Sequence, residues 1–533
     1  MKNKNKLDYY DIQGNIMINY AEHGFLKARY IFFYVDDVYQ GRDFIKRVAP
    51  LITPVSSWLA EDGSIRNAVA VATNISFSYE GLKRLGLPVL TLQSFPQEFI
   101  MGMRHQRKIL GDDQQSGPEH WDEAWSKETH IFISIDAPDE QTRETQTKRI
   151  LDMKKDFDKV TIRTGHGHFE GDSESLYQDA STLYDHRGFP TNKEHFGYSD
   201  GFSNPFFKGM TNDMGELCGN GKRVGYGNPE DEKNWAPLET GEFILGYEDE
   251  AQEYPFAPTP PLMGRNGSFL AYNKFHEHVD RFDRFLESEG RKYPGGKEEL
   301  AAKFVGRWRN GAPISSFPNQ ADADAIAKAR SDAQAAIFAA RRAKDPIAEK
   351  KAQEQFRAVH KKFVAFDYDK DLEGSRCPIG AHMRRANSRG GLEFGKQDAF
   401  GGNPSALDNR RRMIRRGLPY GVATDRTKPG LQGTIIMTIV ASIKRQFEFV
   451  VQQWLNYGND FRLANDKDPI MGNHSITENP NGGRMIIEGK KGEREPYFLS
   501  GLPRFVETRG GEYFFVPSVT ALRMIAEGIV DPT

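Results

Sequence analysis

The chain predicts an α+β fold in which helices pack on one face of antiparallel sheet. Two observations carry this. Aromatic or β-branched runs alternate with helix-compatible segments from residue 28 to 163, and the alternation returns from residue 267 to the C-terminus. Few of these runs have the strict spacing of a βαβ crossover. No sequence repeat is visible, but the pattern permits two related α+β halves.

The elements follow in order. Residues 11–16, Asp-Ile-Gln-Gly-Asn-Ile, open the ordered chain. Residues 28–35 are aromatic and β-branched and read as a strand. Phe44, Ile45 and Val48 place a short helix at 43–49, which Pro50 ends. Residues 68–77 are a second strand, and 79–85 a helix stopped by Gly86 and Pro88. A third strand at 130–135, a helix at 140–157 and a fourth strand from 160 complete the first half. Between 184 and 260 the chain is rich in Gly, Pro, Asn and Asp, and a loop of that length carries function or disorder.

The second half starts with a strand at 267–272 and a helix at 278–286. Residues 322–362 are dominated by Ala, Lys, Arg, Glu and Gln, a helix composition interrupted at Pro346. This reads as a surface helical hairpin whose charges form a solvated face. Residues 434–440 are a strongly apolar strand, 447–455 a helix with aromatic anchors, and 513–517 the last strand, after which Ser518 caps a terminal helix.

Length and charge set bounds. At roughly 150 residues per domain, 533 residues allow three or four domains, or two with insertions. Lys plus Arg is 72 and Asp plus Glu is 74, a net charge of −2. That gives no whole-protein attraction to nucleic acid or an anionic membrane. Cys218 and Cys377 make no disulfide framework and fit a reducing compartment. The charged N-terminus leads into no apolar h-region, and no run approaches about 18 apolar residues. The expectation is a cytoplasmic protein without a membrane span.

Three stretches invite chemistry. Gly165-His166-Gly167-His168, followed by Glu170, places two histidines on one face of a strand. No third ligand has a recognisable spacing, so an exposed turn is favoured over a metal site. Gly197-Tyr198-Ser199-Asp200-Gly201 is either an Asp-Gly turn or a carboxylate displayed on a backbone that comes close to something flat. Cys377-Pro378-Ile379-Gly380-Ala381-His382-Met383-Arg384-Arg385-Ala386-Asn387-Ser388-Arg389 sets one imidazole among small and apolar residues, and a basic cluster follows at 410–417. A lone histidine of this kind is more often core than ligand. The company of Asp200 and of an arginine from the later basic cluster makes a haem-peroxidase site plausible.

Taken with residues 11–16, 242–247, 305–313, 415–421, 446–449 and 509–517, these segments stand in the order found in dye-decolorizing peroxidases. The chain resembles that family, in its longer, advanced form, over nearly its whole length. The resemblance implies two ferredoxin-like halves with antiparallel sheets and peripheral helices, of the dimeric α/β barrel type. It implies an N-terminal half at 1–200, connecting loops at 201–265, and a haem-binding half at 266–533 with a helical insert at about 320–362. One haem b per chain would be held by His382 as axial iron ligand, with Asp468 a weak candidate for the acid behind it. Asp200 and Arg415 would be the distal pair; Arg415 is preferred to Arg416 because it stands three residues before the apolar-Pro-aromatic-Gly run. Arg389 and His195 would lie beside the haem propionates, and Gly197 and Gly201 would let the distal loop approach the cofactor. The implied function is a peroxidase that uses hydrogen peroxide to oxidise dyes, phenols and other organic reductants. A haem-handling protein that removes iron from haem, or stores or carries it, is the alternative. The partners are small molecules, with no nucleic acid and no membrane, and a homo-oligomer is compatible with this.

Overall fold

The computed structural model describes residues 7–61, 63–66, 69–167, 175–392, 406–422, 425–474, 482–489 and 495–529. Ala68, the start of one expected strand, lies outside them, as do His168 and Glu170 of the histidine-rich turn and the N-terminal residues 1–6.

Fourteen strands are described. The first five are β1 (Lys27–Val35), β2 (Ala72–Phe77), β3 (Ile131–Ala137), β4 (Val160–Ile162) and β5 (Gln178–Ser181). A small pair, β6 (Lys222–Arg223) and β7 (Trp235–Ala236), punctuates the long connecting segment. Then come β8 (Ser268–Glu277), β9 (Ile414–Arg416), β10 (Pro419–Gly421) and β11 (Gln432–Val440). A second small pair is β12 (Gly483–Ile487) with β13 (Tyr497–Leu502), and β14 (Val506–Val516) is last.

Ten strands make one sheet in the order β10-β11-β8-β14-β2-β3-β1-β4, with β5 on β1 and β9 on β11. All the pairings are antiparallel. The strands of the first half and those of the second meet at β2 and β14, where Phe77 pairs with Phe515. At the far ends β5 and β10 lie against each other without a described ladder, so the sheet curls round on itself.

That curl explains a departure from the one-face expectation. Alternate residues of β1 point to opposite sides. Phe33 packs outward on Phe44 of the helix Val38–Val48, ring centroids 5.1 Å apart. Phe32 points inward and meets Phe132, Tyr272 and Phe514. Both faces of the central strands are therefore buried, and β1 is covered almost throughout. Truncating Phe32 to alanine in such a core costs about 3–5 kcal/mol.

Local chemistry sets the helix ends. Asp37 caps Val38–Val48, Asp139 caps Glu140–Lys154 and Ser518 caps Val519–Glu527, each side chain accepting a first-turn N–H. The hairpin is two helices, Gln320–Ala343 and Pro346–Val364. Lys344 turns left-handed (φ +53°), Asp345 caps the second helix, and Pro346 sits in its first turn, where a missing N–H costs nothing. The expected helix at 447–455 instead has wide π-type turns over Ile443–Glu448 and Val450–Leu455.

Candidate functional site

His382 opens the short helix His382–Ala386. The two basic residues beyond it are structural. Arg384 is buried and donates to the Cys377 carbonyl at 2.8 Å. Arg385 is buried and donates to the carbonyls of Trp454, Tyr457 and Asp466. These bonds lock the segment, and His382 is left a quarter exposed. Its Nδ1 is 3.0 Å from Oδ2 of Asp468, which is wholly buried. The other Asp468 oxygen accepts the N–H groups of Ile470 (2.9 Å) and Met471 (2.7 Å). Burial alone would lower the His382 pKa; the Asp468 carboxylate outweighs it and holds the pKa above the ordinary histidine value. Asp468 is in turn held below the carboxylate range, because His382, Arg385 and the backbone donors overcome its desolvation. With Nδ1 committed, His382 has no partner at Nε2 among the described residues.

Asp200 lies at the tip of the glycine-flanked loop. Its N–H donates to Asn192 O (2.8 Å), and its Oδ1 accepts the Gly201 N–H (2.7 Å). Gly197 and Gly201 both have left-handed backbone, φ +96° and +87°. The space where a Gly201 side chain would stand is open. Arg415 is on β9, paired with Thr438 of β11. Its Nη1 stands 3.9 Å from Asp200 Oδ1 and its Nη2 donates to Phe202 O at 2.9 Å. Asn204 Oδ1 accepts the Arg415 N–H at 3.1 Å. Strand alternation turns Arg416 to the other face, where its guanidinium donates to the carbonyls of Asn15, Arg415 and Ile16. Arg415 is therefore the arginine beside Asp200.

Arg415 and Asp200 are close enough to His382 to act on its protonation, the first lowering and the second raising its pKa. The sheet nearby is incompletely covered: Phe275 of β8 and Ile436 of β11 are only half-buried, although their strands are central. Both project from the same face as Arg415, by the pairings Phe275–Thr434 and Arg415–Thr438.

His195 and Arg389 make their hydrogen bonds elsewhere. His195 is buried, its Nε2 is 2.9 Å from Tyr420 O, and burial with Arg426 nearby takes its pKa to about 4 against that bond. The Arg389 guanidinium donates to the carbonyls of Val364 (2.5 Å) and Phe366 (3.0 Å) and to Ser203 Oγ (2.5 Å). Its Nε is a buried donor without a partner. Desolvation and the neighbouring Arg307 and Arg412 pull its pKa to about 9.

These residues fit a haem. An imidazole with a free Nε2 and an acid on Nδ1 suits an axial ligand. A carboxylate and a guanidinium stand within electrostatic reach of it, beside half-covered apolar sheet and a glycine with open space. A family model described as "DyP dimeric alpha+beta barrel domain" matches residues 11–166. The chain is 25% identical to "Peroxidase 2" of Mycetinis scorodonius over 97% of its own length and 87% of that protein's. It is 26% identical to a dye-decolorizing peroxidase of Mycena epipterygia, over 98% and 87%. The chain is similar to dye-decolorizing peroxidases over nearly its whole length. Among solved structures, a DyP-type peroxidase of Anabaena superposes with a TM-score of 0.70 at 22% identity, covering 97% of this chain and 94% of that one. An ancestral D-type dye-decolorizing peroxidase gives 0.68 at 25%, covering 97% and 99%. The matched family model ends at residue 166, before Asp200, Arg415 and His382, so their placement rests on the geometry above.

Two contributors to the candidate site were faint or absent in the sequence. Asp468 lies 86 residues from His382 and carries no motif. Asn204, which holds the Arg415 N–H, follows the glycine-flanked loop closely, and that proximity was its only signal.

Proposed function

We propose that this chain is a haem peroxidase that reduces hydrogen peroxide and oxidises dyes, phenols and other organic reductants in one-electron steps, with one haem b per chain. The observation that carries the reading is that His382, with its acid-held Nδ1 and free Nε2, lies within electrostatic reach of the Asp200–Arg415 pair. Haem, when bound, supplies the redox-active iron and holds the oxidising equivalents.

The chain's residues do the rest. His382 would hold the iron through Nε2. Asp468 fixes the proton on Nδ1 and makes the ring more electron-donating. Asp200 moves a proton: its carboxylate takes one from the near peroxide oxygen and returns it to the leaving oxygen. Its side chain is 55% exposed, so peroxide reaches it directly. Arg415 keeps its proton and cannot be the base. Anchored on Phe202 O, it offers a fixed positive charge to the negative charge that develops as the O–O bond breaks. Gly201 leaves room for the cofactor edge. Arg389 and His195 are assigned the propionate side, Arg389 through its unpartnered Nε.

Absorption spectra of the haem-reconstituted protein, before and after one equivalent of peroxide, test this for wild type and His382→Ala. The expected result is a Soret band that shifts with peroxide in the wild type and is altered or lost in the variant. Haem uptake with no response to peroxide would favour a carrier or store of haem instead. Failure to take up haem would overturn the reading.

A further inference from the structure

Ser203 sits in the distal loop between the two residues that hold Arg415. Phe202 O accepts Arg415 Nη2 at 2.9 Å, and Asn204 Oδ1 accepts the Arg415 backbone N–H at 3.1 Å. Ser203 is buried and turns its side chain to other partners. Its Oγ accepts Arg389 Nη2 at 2.5 Å, and Arg307 Nη2 stands 3.5 Å from the same oxygen. Both arginines are buried and anchored outside the loop. Arg389 Nη1 donates to Val364 O and Phe366 O, where the second hairpin helix ends. Arg307 Nη1 donates to Gly311 O and Phe363 O, at 2.8 and 2.7 Å. Its Nε lies 2.9 Å from the sulfur of Met383, the residue after His382. Ser203 is therefore where the distal loop meets a frame that runs to the hairpin and to the proximal helix.

The backbone points the same way. Ser203 and Arg389 both have left-handed φ, +72° and +42°. An L side chain crowds the following carbonyl oxygen in that region, so the conformation persists where the surroundings impose it. Here two such residues are joined by a hydrogen bond. Glycine at 203 would relieve the backbone. What serine supplies in its place is the oxygen.

We propose that Ser203 is a positioning residue: its hydroxyl oxygen, held by Arg389 and Arg307, fixes Phe202 O and Asn204 Oδ1 and so sets Arg415 beside Asp200. The inference rests on the peroxidase reading for its consequence in catalysis. Asp200 depends on Ser203 less, because its own bonds run to Asn192 O and the Gly201 N–H. Without the oxygen, Arg389 Nη2 is a buried donor that must turn to another acceptor. The two contacts to Arg415 then lose their common anchor.

Two readouts test this. The first is the rate of reaction of the haem-loaded protein with peroxide. Ser203→Gly removes the oxygen and keeps the left-handed turn, and it is expected to react about 10-fold more slowly than wild type, part of the 10²-fold that a misplaced group can cost. Ser203→Ala should be at least as slow. Because Ser203 acts through Arg415, adding Ser203→Gly to Arg415→Leu should cost less than about twofold more. A wild-type rate in Ser203→Gly overturns the proposal. A full further tenfold loss in the Arg415→Leu background, on the order of the single-variant effect, overturns the action through Arg415. The second readout needs no haem. The Arg415 amide is held by Asn204, so its hydrogen exchange in the haem-free protein reports that bond directly. It should be several-fold faster in Ser203→Ala than in wild type, and equal exchange overturns the tether. If the wild type does not react with peroxide at all, the peroxidase reading fails, and the exchange comparison still decides whether Ser203 holds Arg415.

Discussion

The proximal and distal sides of the gap are built differently. Asp468 is wholly buried, binds His382 at 3.0 Å and has its second oxygen filled by two backbone donors. Asp200 and Arg415 are 55% and 40% exposed and stand 3.9 Å apart, beyond a good hydrogen bond. The first pair is set by packing before any ligand arrives. The second is held by single bonds to the backbone, Arg415 to Phe202 O and Asp200 from the Gly201 N–H, and stays partly exposed. On the proposed reading, the side that would hold the cofactor is built into the core, while the side that would move protons keeps its charged ends nearer solvent.

The largest effects are expected on the more exposed side. Asp200→Asn removes the proton carrier and should slow the reaction with peroxide by about 10²–10⁴-fold. Arg415→Leu removes only charge stabilisation and should cost on the order of 10²–10³-fold. An exposed pair of this geometry contributes about 0–1 kcal/mol to folding, so neither variant should move the unfolding midpoint far. Stopped-flow rates beside urea unfolding check both. A large loss of stability in either variant would erase the contrast between the two sides.

Asp468→Asn attacks the preset side. The asparagine oxygen can still accept from Ile470 and Met471, which turns its NH₂ toward His382 Nδ1. The imidazole must then accept there and carry its proton on Nε2, the nitrogen needed for iron. Haem affinity should fall by about 10–100-fold. Removing one partner of a buried pair costs about 3–5 kcal/mol, and the low end applies because His382 is a quarter exposed. Haem titration and urea unfolding of the haem-free variant separate the two effects. Unchanged affinity would mean that Asp468 does not fix the ring.

The sequence revealed these two sides unequally, for physical reasons. The β-branched and aromatic runs of β1, β3 and β11 announced themselves because both faces of those strands are buried. Strand β9 did not, because Ile414-Arg415-Arg416 has no strand propensity and becomes extended only by pairing with β11. The start of β14 was hidden by Glu507-Thr508-Arg509-Gly510-Gly511; there Glu507 and Arg509 pair with each other, and Gly510 makes room for Trp125. The glycine-flanked Asp200 was legible because left-handed backbone on both sides demands glycine. The partner of His382, Asp468, was legible only as a weak candidate, because a buried acid 86 residues away carries no motif and is chosen by tertiary packing. The basic residues after His382 suggested a site by their charge, yet Arg384 and Arg385 serve backbone carbonyls of the core.

The smallest effect concerns how the helical hairpin supports the more exposed side. Phe202, next to Gly201, stacks on His360 and Phe363 of the second hairpin helix, at 5.9 and 5.8 Å. Arg330 of the first helix lies over the Phe202, Phe356 and Phe363 rings at 5.2–5.5 Å. Burial, with Arg330 and Arg307 close by, takes the His360 pKa to about 3, so the stack stays neutral and apolar. Arg330→Ala should cost about 0.5–2 kcal/mol of stability through the lost cation–π contacts. Because Phe202 O also anchors Arg415, loosening the ring should slow the peroxide reaction a few-fold. The hairpin tip is the control. Arg341 and Glu349 pair there at 2.8 Å in solvent, and Arg341→Ala should cost about 0.5 kcal/mol or less and leave the rate alone. Equal rates for Arg330→Ala and Arg341→Ala would show that the hairpin adds mass to the distal side without holding it. A slower Arg330→Ala with normal haem affinity would place its influence on the Asp200–Arg415 side and not on His382.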